Sequence, residues 1–258
     1  MTYANIQVAT SGAITSITIN RPNFRNALNA QTIDELTKAF SAVSNQPDTR
    51  AVLLTGSGTE AFCAGADLRE LSASTDPATR RTFFESIAQL VTTILHCPAP
   101  VVAAVHGFAL AGGMGLVAAA DIALASEDAV FGLPEVAVGL APMVVTYPLS
   151  LVMTPRTLSY IALSGERISA TQAREAGLVT RVVPRAALAS EAQALCATIA
   201  KRGPNAVRAT KQTIRELLSA RGEKVMGELA DRSALVSIGA EASEGITAFT
   251  EKRAPRWS

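Results

Sequence analysis

The sequence predicts an α/β fold, and three features carry that expectation. Compact apolar runs ending in glycine, AVLLTG at 51–56 and VVAAVHG at 101–107, have the character of strands buried on both faces of a parallel sheet. Stretches with apolar residues three and four positions apart, the spacing of a helix with one buried face, lie between and beyond them. Of the 258 residues, 48% are hydrophobic and 17% charged, which supplies a large core and excludes wholesale disorder.

Taken in order, Ile6 and Val8, then Ile14, Ile17 and Ile19, read as two short strands of a hairpin before the turn-rich RPNFRNALN segment. Ile33, Leu36, Phe40 and Val43 mark an amphipathic helix over 31–45, and the strand at 51–56 follows it. After a polar loop through Glu60, helical spacing returns at Phe84, Ile87, Ala88, Val91, Ile94 and Leu95, leading into the strand at 101–107. A helix over 112–120 and a strand over 122–125 extend the alternation, which favours parallel strands joined by crossover helices. Ser169-Ala170-Thr171-Gln172 is a capping box opening a short helix, and 178–183 reads as the last strand. Beyond Ser190 the pattern is helical, so the chain divides into a spiral α/β core at 1–198 and a helical C-terminal region at 199–258.

Several functions are excluded by composition. With 23 basic and 22 acidic residues the net charge is +1, which gives no broad field for nucleic acid or an anionic membrane. Cys63, Cys97 and Cys196, widely spaced and accompanied by two histidines, make neither a metal-ligand cluster nor a disulfide framework. MTYANIQVAT lacks a basic segment followed by an apolar run, so a cytoplasmic protein with reduced thiols is expected. The uncharged run from Ser86 to Ala120 is long enough to cross a bilayer, but Pro98, Pro100 and four glycines break it. Pro142, Pro148 and Pro155 do the same for the run from Val136 to Pro155.

Three segments are equipped for chemistry. EAFCAGADLREL at 60–71 and HGFALAGGMGL at 106–116 are small-residue turns whose backbone can approach a ligand closely and aim amide N–H groups at it. Gly107, Gly112, Gly113 and Gly115 do not have the G-x-G-x-x-G spacing of a dinucleotide loop, which argues against hydride chemistry. FGLPEVAVGLAP at 131–142 sets one acid, Glu135, among apolar residues, either exposed on a loop or partly buried with a raised pKa. The buried state is the one a general acid/base at neutral pH requires.

These segments, together with RPNFRNALN at 21–29, ADIALAS at 120–126, ERISATQAREAGLVTRVVP at 166–184 and EGITAFTEKRAP at 244–255, resemble in content and order the crotonase, or enoyl-CoA hydratase/isomerase, family. The resemblance implies a crotonase-like spiral of strand-strand-helix units with a C-terminal helical oligomerisation region. It also implies an acyl-CoA thioester substrate, whose carbonyl becomes an enolate-like oxyanion held by two backbone amides, here those of Ala66 and Gly112. Gly112 opens the 112–120 helix, so the helix dipole adds to its donor. Coenzyme A would be met by the backbone of Ala64, Ala66 and Leu68, and its phosphates by Arg25 and by Lys252 from a neighbouring subunit. Both basic residues also fit a solvated surface. No metal and no cofactor beyond the coenzyme A of the substrate is implied, and the assembly expected is a homotrimer or a dimer of trimers.

Many hydratases of the family use two glutamates, and the position matching the first is Gly115 here. A lone Glu135 fits a 3-enoyl to 2-enoyl-CoA isomerase, which moves one proton between carbons. A Gly at this position followed by a G-L-x-P segment, as at 139–142, resembles bacterial hydratases of branched or glutaconyl-type esters, and the lost side chain would leave room for a bulkier acyl group. The expectation is therefore an enoyl-CoA hydratase (a lyase), with isomerase and a non-catalytic acyl-CoA binder as alternatives. Met143, Val144, Val145 and Tyr147 are candidates for the acyl pocket or for core, whereas Asp67, Asp121, His106 and Cys63 are expected to be structural.

Overall fold

A computed structural model describes residues 2–73, 75–219 and 225–255. The hairpin is present as β1 (Ile6–Ser11) antiparallel to β2 (Ile14–Ile19). Helix α1 (Ala30–Ser44) starts where the Oδ1 of Asn29 accepts the N–H of Thr32 at 2.9 Å, one residue before the periodicity indicated. Three successive units then repeat one plan. The first is β3 (Ala51–Gly56), β4 (Ala61–Cys63), α2 (Leu68–Ser72) and α3 (Pro77–Leu95); the second is β5 (Val101–Val105), β6 (Phe108–Leu110) and α4 (Gly112–Ala119). The third is β7 (Ile122–Ser126), β8 (Val130–Gly132), a single 3-10 turn at Pro134–Val138, and α5 (Met143–Val152). After α6 (Pro155–Ser164) come β9 (Arg167–Ser169), α7 (Ala170–Glu175), β10 (Arg181–Val183), α8 (Leu188–Ala200), α9 (Pro204–Ser219), α10 (Val225–Ser237) and α11 (Ala240–Thr250).

Each unit gives its first strand to one sheet and its second to another. The larger sheet has the order β1-β2-β3-β5-β7-β10, parallel except for the opening hairpin, and the smaller is β4-β6-β8-β9. The chain therefore winds as a spiral. Side chains of β3 alternate between two cores. Leu54 joins the main cluster with Phe40, Phe62 and Phe131, and Leu53 packs with Leu124, Leu188 and Cys196 beneath α8.

The structure amends the sequence reading in three places. Helix α3 begins at Pro77, capped by Asp76, well before the periodic stretch at 84–95, because its first turns are mainly polar and face water. The last strand is confined to Arg181–Val183, with Leu178 and Val179 buried in the turn leading to it. The strand at 101–107 ends at Val105, and His106 and Gly107 form the turn into β6. The capping box is present, with the Ser169 hydroxyl and the Gln172 side chain each accepting from the other's backbone N–H.

The C-terminal helices pack onto their own core. In α9, Lys211 and Arg215 bind the two carboxylate oxygens of Asp121 at 2.6 and 2.9 Å, and Asp121 also accepts the N–H of Val101. Helix α10 lies on α3 and α5. Helix α11 sits on the turn at Pro134–Val138 with backbone against backbone: a Cβ on Gly245 would stand 2.4 Å from the carbonyl of Val138, so only glycine permits the approach. Among the described residues, no helix is long and apolar enough to cross a membrane.

Candidate active site

Two turns from consecutive units meet at one point. After β4 the chain crosses Ala64 and Gly65, and Leu28 pairs with Ala66 as an isolated bridge, its N–H donating to the carbonyl of Gly65 at 2.7 Å. Gly65 has φ +93, and a Cβ there would lie 2.5 Å from the Cβ of Ala111 and 3.2 Å from the nitrogen of Gly112. The position therefore demands glycine twice over, by dihedral and by space. Across from it, Ala111 takes φ 50 and ψ −122, an unfavourable conformation for a residue with a Cβ. It is anchored by its own N–H to the carbonyl of Gly132 at 2.9 Å. Strain of this kind typically costs about 1–3 kcal/mol and marks sites where geometry matters more than stability.

The result is that Ala66 and Gly112 face one cavity of about 420 Å³. Gly112 is the first residue of α4, so its N–H has no intrahelical acceptor. Among the described residues, no hydrogen bond uses the amide of either Ala66 or Gly112. Both donors are available to a ligand, and the one on α4 carries the favourable end of the helix dipole.

The third side of the cavity is the turn at Pro134–Val138. Leu133 is fully buried and Pro134 starts the turn, which directs Glu135 inward and leaves its Oε2 out of contact with water and without a hydrogen-bond partner. Burial pushes the carboxyl up to about 7, slightly offset by its own backbone N–H. An acid so tuned exchanges its proton at neutral pH, as acid/base chemistry needs.

Of the remaining residues singled out in the sequence, Ala64 and Leu68 line the cavity on the same side as Ala66. Arg25 lies at its rim, largely exposed and paired with Glu60 at 2.9 Å. Lys252 is exposed and does not border its own chain's cavity; the neighbouring Arg253 does, held by Glu244 at 2.6 and 3.0 Å and by Glu251. Sequence reasoning missed Arg253, and also Arg167, Phe249 and Ser233, which border the same space. The only available signal for Arg253 was its position beside Lys252.

Met143, Val144 and Val145 line the cavity, but Tyr147 is not among the lining residues and belongs to the buried core. The room expected beside Gly115 is absent. A Cβ at Gly115 would meet the Cγ1 of Val145 at 2.6 Å, so valine occupies the volume that a larger side chain would need. Glu135 is the only carboxylic acid among the residues lining this cavity.

Of the residues expected to be structural, Asp67 and Asp121 make structural contacts, whereas the buried Nε2 of His106 has no hydrogen-bond partner. Asp67 caps α2 through the N–H of Arg69 and pairs with Arg21 at 3.1 Å. Asp121 ties α9 to the core. Burial raises the Cys63 thiol to about 12, which keeps it un-ionised. His106 is buried, and desolvation lowers its pKa.

The cavity thus has two unspent amides on one side and a desolvated carboxyl on another. The family model described as enoyl-CoA hydratase/isomerase matches residues 9–258. The chain belongs to that family. A probable enoyl-CoA hydratase of Mycobacterium tuberculosis is 35% identical over 262 residues, covering 100% of this chain and 99% of that protein. The crotonyl-CoA hydratase of Syntrophomonas wolfei subsp. wolfei is 33% identical over 255 residues, covering 98% and 97%. The crystal structure of an enoyl-CoA hydratase from Mycobacterium avium matches with a TM-score of 0.88 at 31% identity, covering 100% of both chains. The crotonase spiral with its C-terminal helices is thus the fold of this chain.

Proposed function

We propose that the protein adds water across the double bond of a 2-enoyl-CoA thioester, or removes it from the 3-hydroxyacyl product, with Ala66 and Gly112 as oxyanion donors and Glu135 as the single acid/base. The observation that carries this reading is the unpartnered Oε2 of Glu135 in the cavity that both amide-bearing residues line. In the forward direction Glu135 takes a proton from water as the water oxygen bonds to C3. The π electrons shift toward the thioester carbonyl, and negative charge gathers on its oxygen, where the two amides stabilise it. Glu135 then delivers a proton to C2, which restores its carboxylate. One group acts twice, and a pKa near 7 suits both steps. The names of the relatives support the hydratase activity.

Coenzyme A enters as part of the substrate, with its adenine at the backbone of Ala64, Ala66 and Leu68 and its phosphates near Arg25. Lys252 would complete that contact from an adjoining subunit of a homotrimer or dimer of trimers. Exposed apolar side chains on α6, α9 and α10 (Tyr160, Leu163, Leu217 and Leu235) support such an assembly, since water is a costly neighbour for them. A monomeric mass by light scattering would contradict it.

A second reading is favoured by Val145. Where a second carboxylate would share the water, this cavity has hydrocarbon, and one base beside an apolar wall also suits moving a proton from C2 of a 3-enoyl-CoA to C4. The absorbance of the conjugated enoyl thioester separates the readings. Purified protein is expected to bleach it with a 2-enoyl-CoA; a gain of absorbance from a 3-enoyl-CoA would favour isomerisation. Tight binding of both esters without either change would mark a non-catalytic binder and end the catalytic proposal.

A further inference from the structure

Ser233 is a second orphaned polar group in the same cavity, and the proposed mechanism does not use it. Its side chain is on α10, the residue is 2% exposed, and its Oγ is out of water without a hydrogen-bond partner. A buried hydroxyl left so loses its bond to water and gains nothing in exchange, so an alanine would serve better if the wall had only hydrocarbon to meet. Helix α10 packs on α5, whose first residues Met143, Val144 and Val145 form the wall next to Gly115. It packs also on α3, whose Phe84 and Ile87 line the same cavity. Ser233 therefore belongs with the apolar wall that α3 and α5 give the cavity.

We propose that Ser233 is a specificity-determining residue whose hydroxyl hydrogen-bonds a neutral oxygen, hydroxyl or carbonyl, borne by the acyl chain of the substrate beyond the reacting carbons. The inference rests on the acyl-CoA reading above and narrows it to oxygen-bearing acyl thioesters. A neutral group is specified because a hydroxyl offers one donor and no charge. Of the arginines that border the cavity, Arg25 and Arg253 are paired with Glu60 and with Glu244 and Glu251, and Arg167 stacks over the ring of Phe108 at 5.4 Å.

The test compares two 2-enoyl-CoA esters of equal length, one with a terminal hydroxyl and one wholly hydrocarbon, on the wild-type protein and on Ser233→Ala. With Ser233→Ala, kcat/KM for the hydroxylated ester is expected to fall roughly tenfold, while that for the hydrocarbon ester rises, because the methyl removes an unsatisfied group from its path. Equal changes for both esters, or no change in either, would overturn the assignment. Calorimetric binding of the corresponding saturated acyl-CoA pair provides a readout independent of turnover. Wild-type protein should prefer the hydroxylated ester and the variant should lose that preference. Preference without turnover would sink the hydratase reading and leave Ser233 in place, whereas turnover without preference would do the reverse.

Discussion

The two walls of the cavity are built from different materials. The side proposed for the thioester is main chain: the amides of Ala66 and Gly112, set by a Gly65 that tolerates no side chain and an Ala111 held in a strained conformation. The side proposed for the acyl chain is side chain: Val145, Met143, Val144 and Ser233, supplied by α5 and α10. A main-chain wall is insensitive to most substitutions that keep the turn, so it can serve one chemistry over many sequences. A side-chain wall changes with each replacement, and acyl preference is expected to reside there. Glu135 stands where the two walls meet, and the sharpest breaks of the comparison lie at that junction.

The largest effect is expected from Glu135→Gln, which keeps the shape and removes the titrating group. A loss of about 10²–10⁴ in kcat, followed by enoyl absorbance, is predicted from the usual contribution of an acid/base. In the wild-type protein kcat/KM should inflect near pH 7, where the buried carboxyl titrates. The same carboxyl shapes stability. Its folded pKa lies above the ordinary value of 4.5, so the folded state holds the proton more tightly than the unfolded chain does. That contribution is complete below about pH 4.5 and is lost as pH rises through about 7. Denaturant midpoints of Glu135→Gln should lack this decline, and a variant that retains it would place the decline elsewhere.

Next in size is Gly112→Pro on the main-chain wall. Proline is tolerated at the first position of a helix and replaces the N–H there by a ring carbon that also restricts Ala111, and the closest atom to a new Cβ is the mobile Cδ1 of Leu28 at 3.2 Å. Activity should fall about 10²–10³-fold with a smaller change in thermal midpoint. Retained activity would remove this amide from the oxyanion site.

On the side-chain wall, Gly115→Ala should destabilise by about 1–3 kcal/mol, since the added methyl meets Val145. Combined with Val145→Ala, the pair should be more stable in urea than the sum of the single changes implies. Simple additivity would mean that the two residues do not compete for one volume. The smallest effect is expected at the rim. Arg25→Ala should alter stability by less than about 0.5 kcal/mol, its pair with Glu60 being exposed, yet raise KM severalfold if it meets a phosphate.

The same division explains what the sequence disclosed. The parallel sheet was legible because β3 and β5 are unbroken apolar runs, and α1 and α4 were placed to within a residue by periodicity and by glycine. The smaller sheet was not, because β4, β6, β8 and β9 have three residues each, too few for any period to register. Ala66, Gly112 and Glu135 were found through motif order. Ser233 was hidden because α10 comes to the cavity through tertiary packing and its local sequence resembles any amphipathic helix, and Arg253 because nothing in the EGITAFTEKRAP segment distinguishes it from the adjacent Lys252. Beside Gly115 the sequence suggested empty space, since nothing in it reveals that a residue thirty positions later turns back to fill the gap.

The glycine contact between α11 and the turn at Pro134–Val138 places an order on the birth of the enzyme. A ribosome releases residues 240–250 after both sheets are already outside the exit tunnel, so a nascent chain can complete its spiral while the helix that packs on the Glu135 turn is still being made. Until that helix docks, the carboxyl lacks its full shelter and behaves more like an ordinary surface acid. Shelter of the proposed acid/base is thus conferred by α11, the last helix among the described residues.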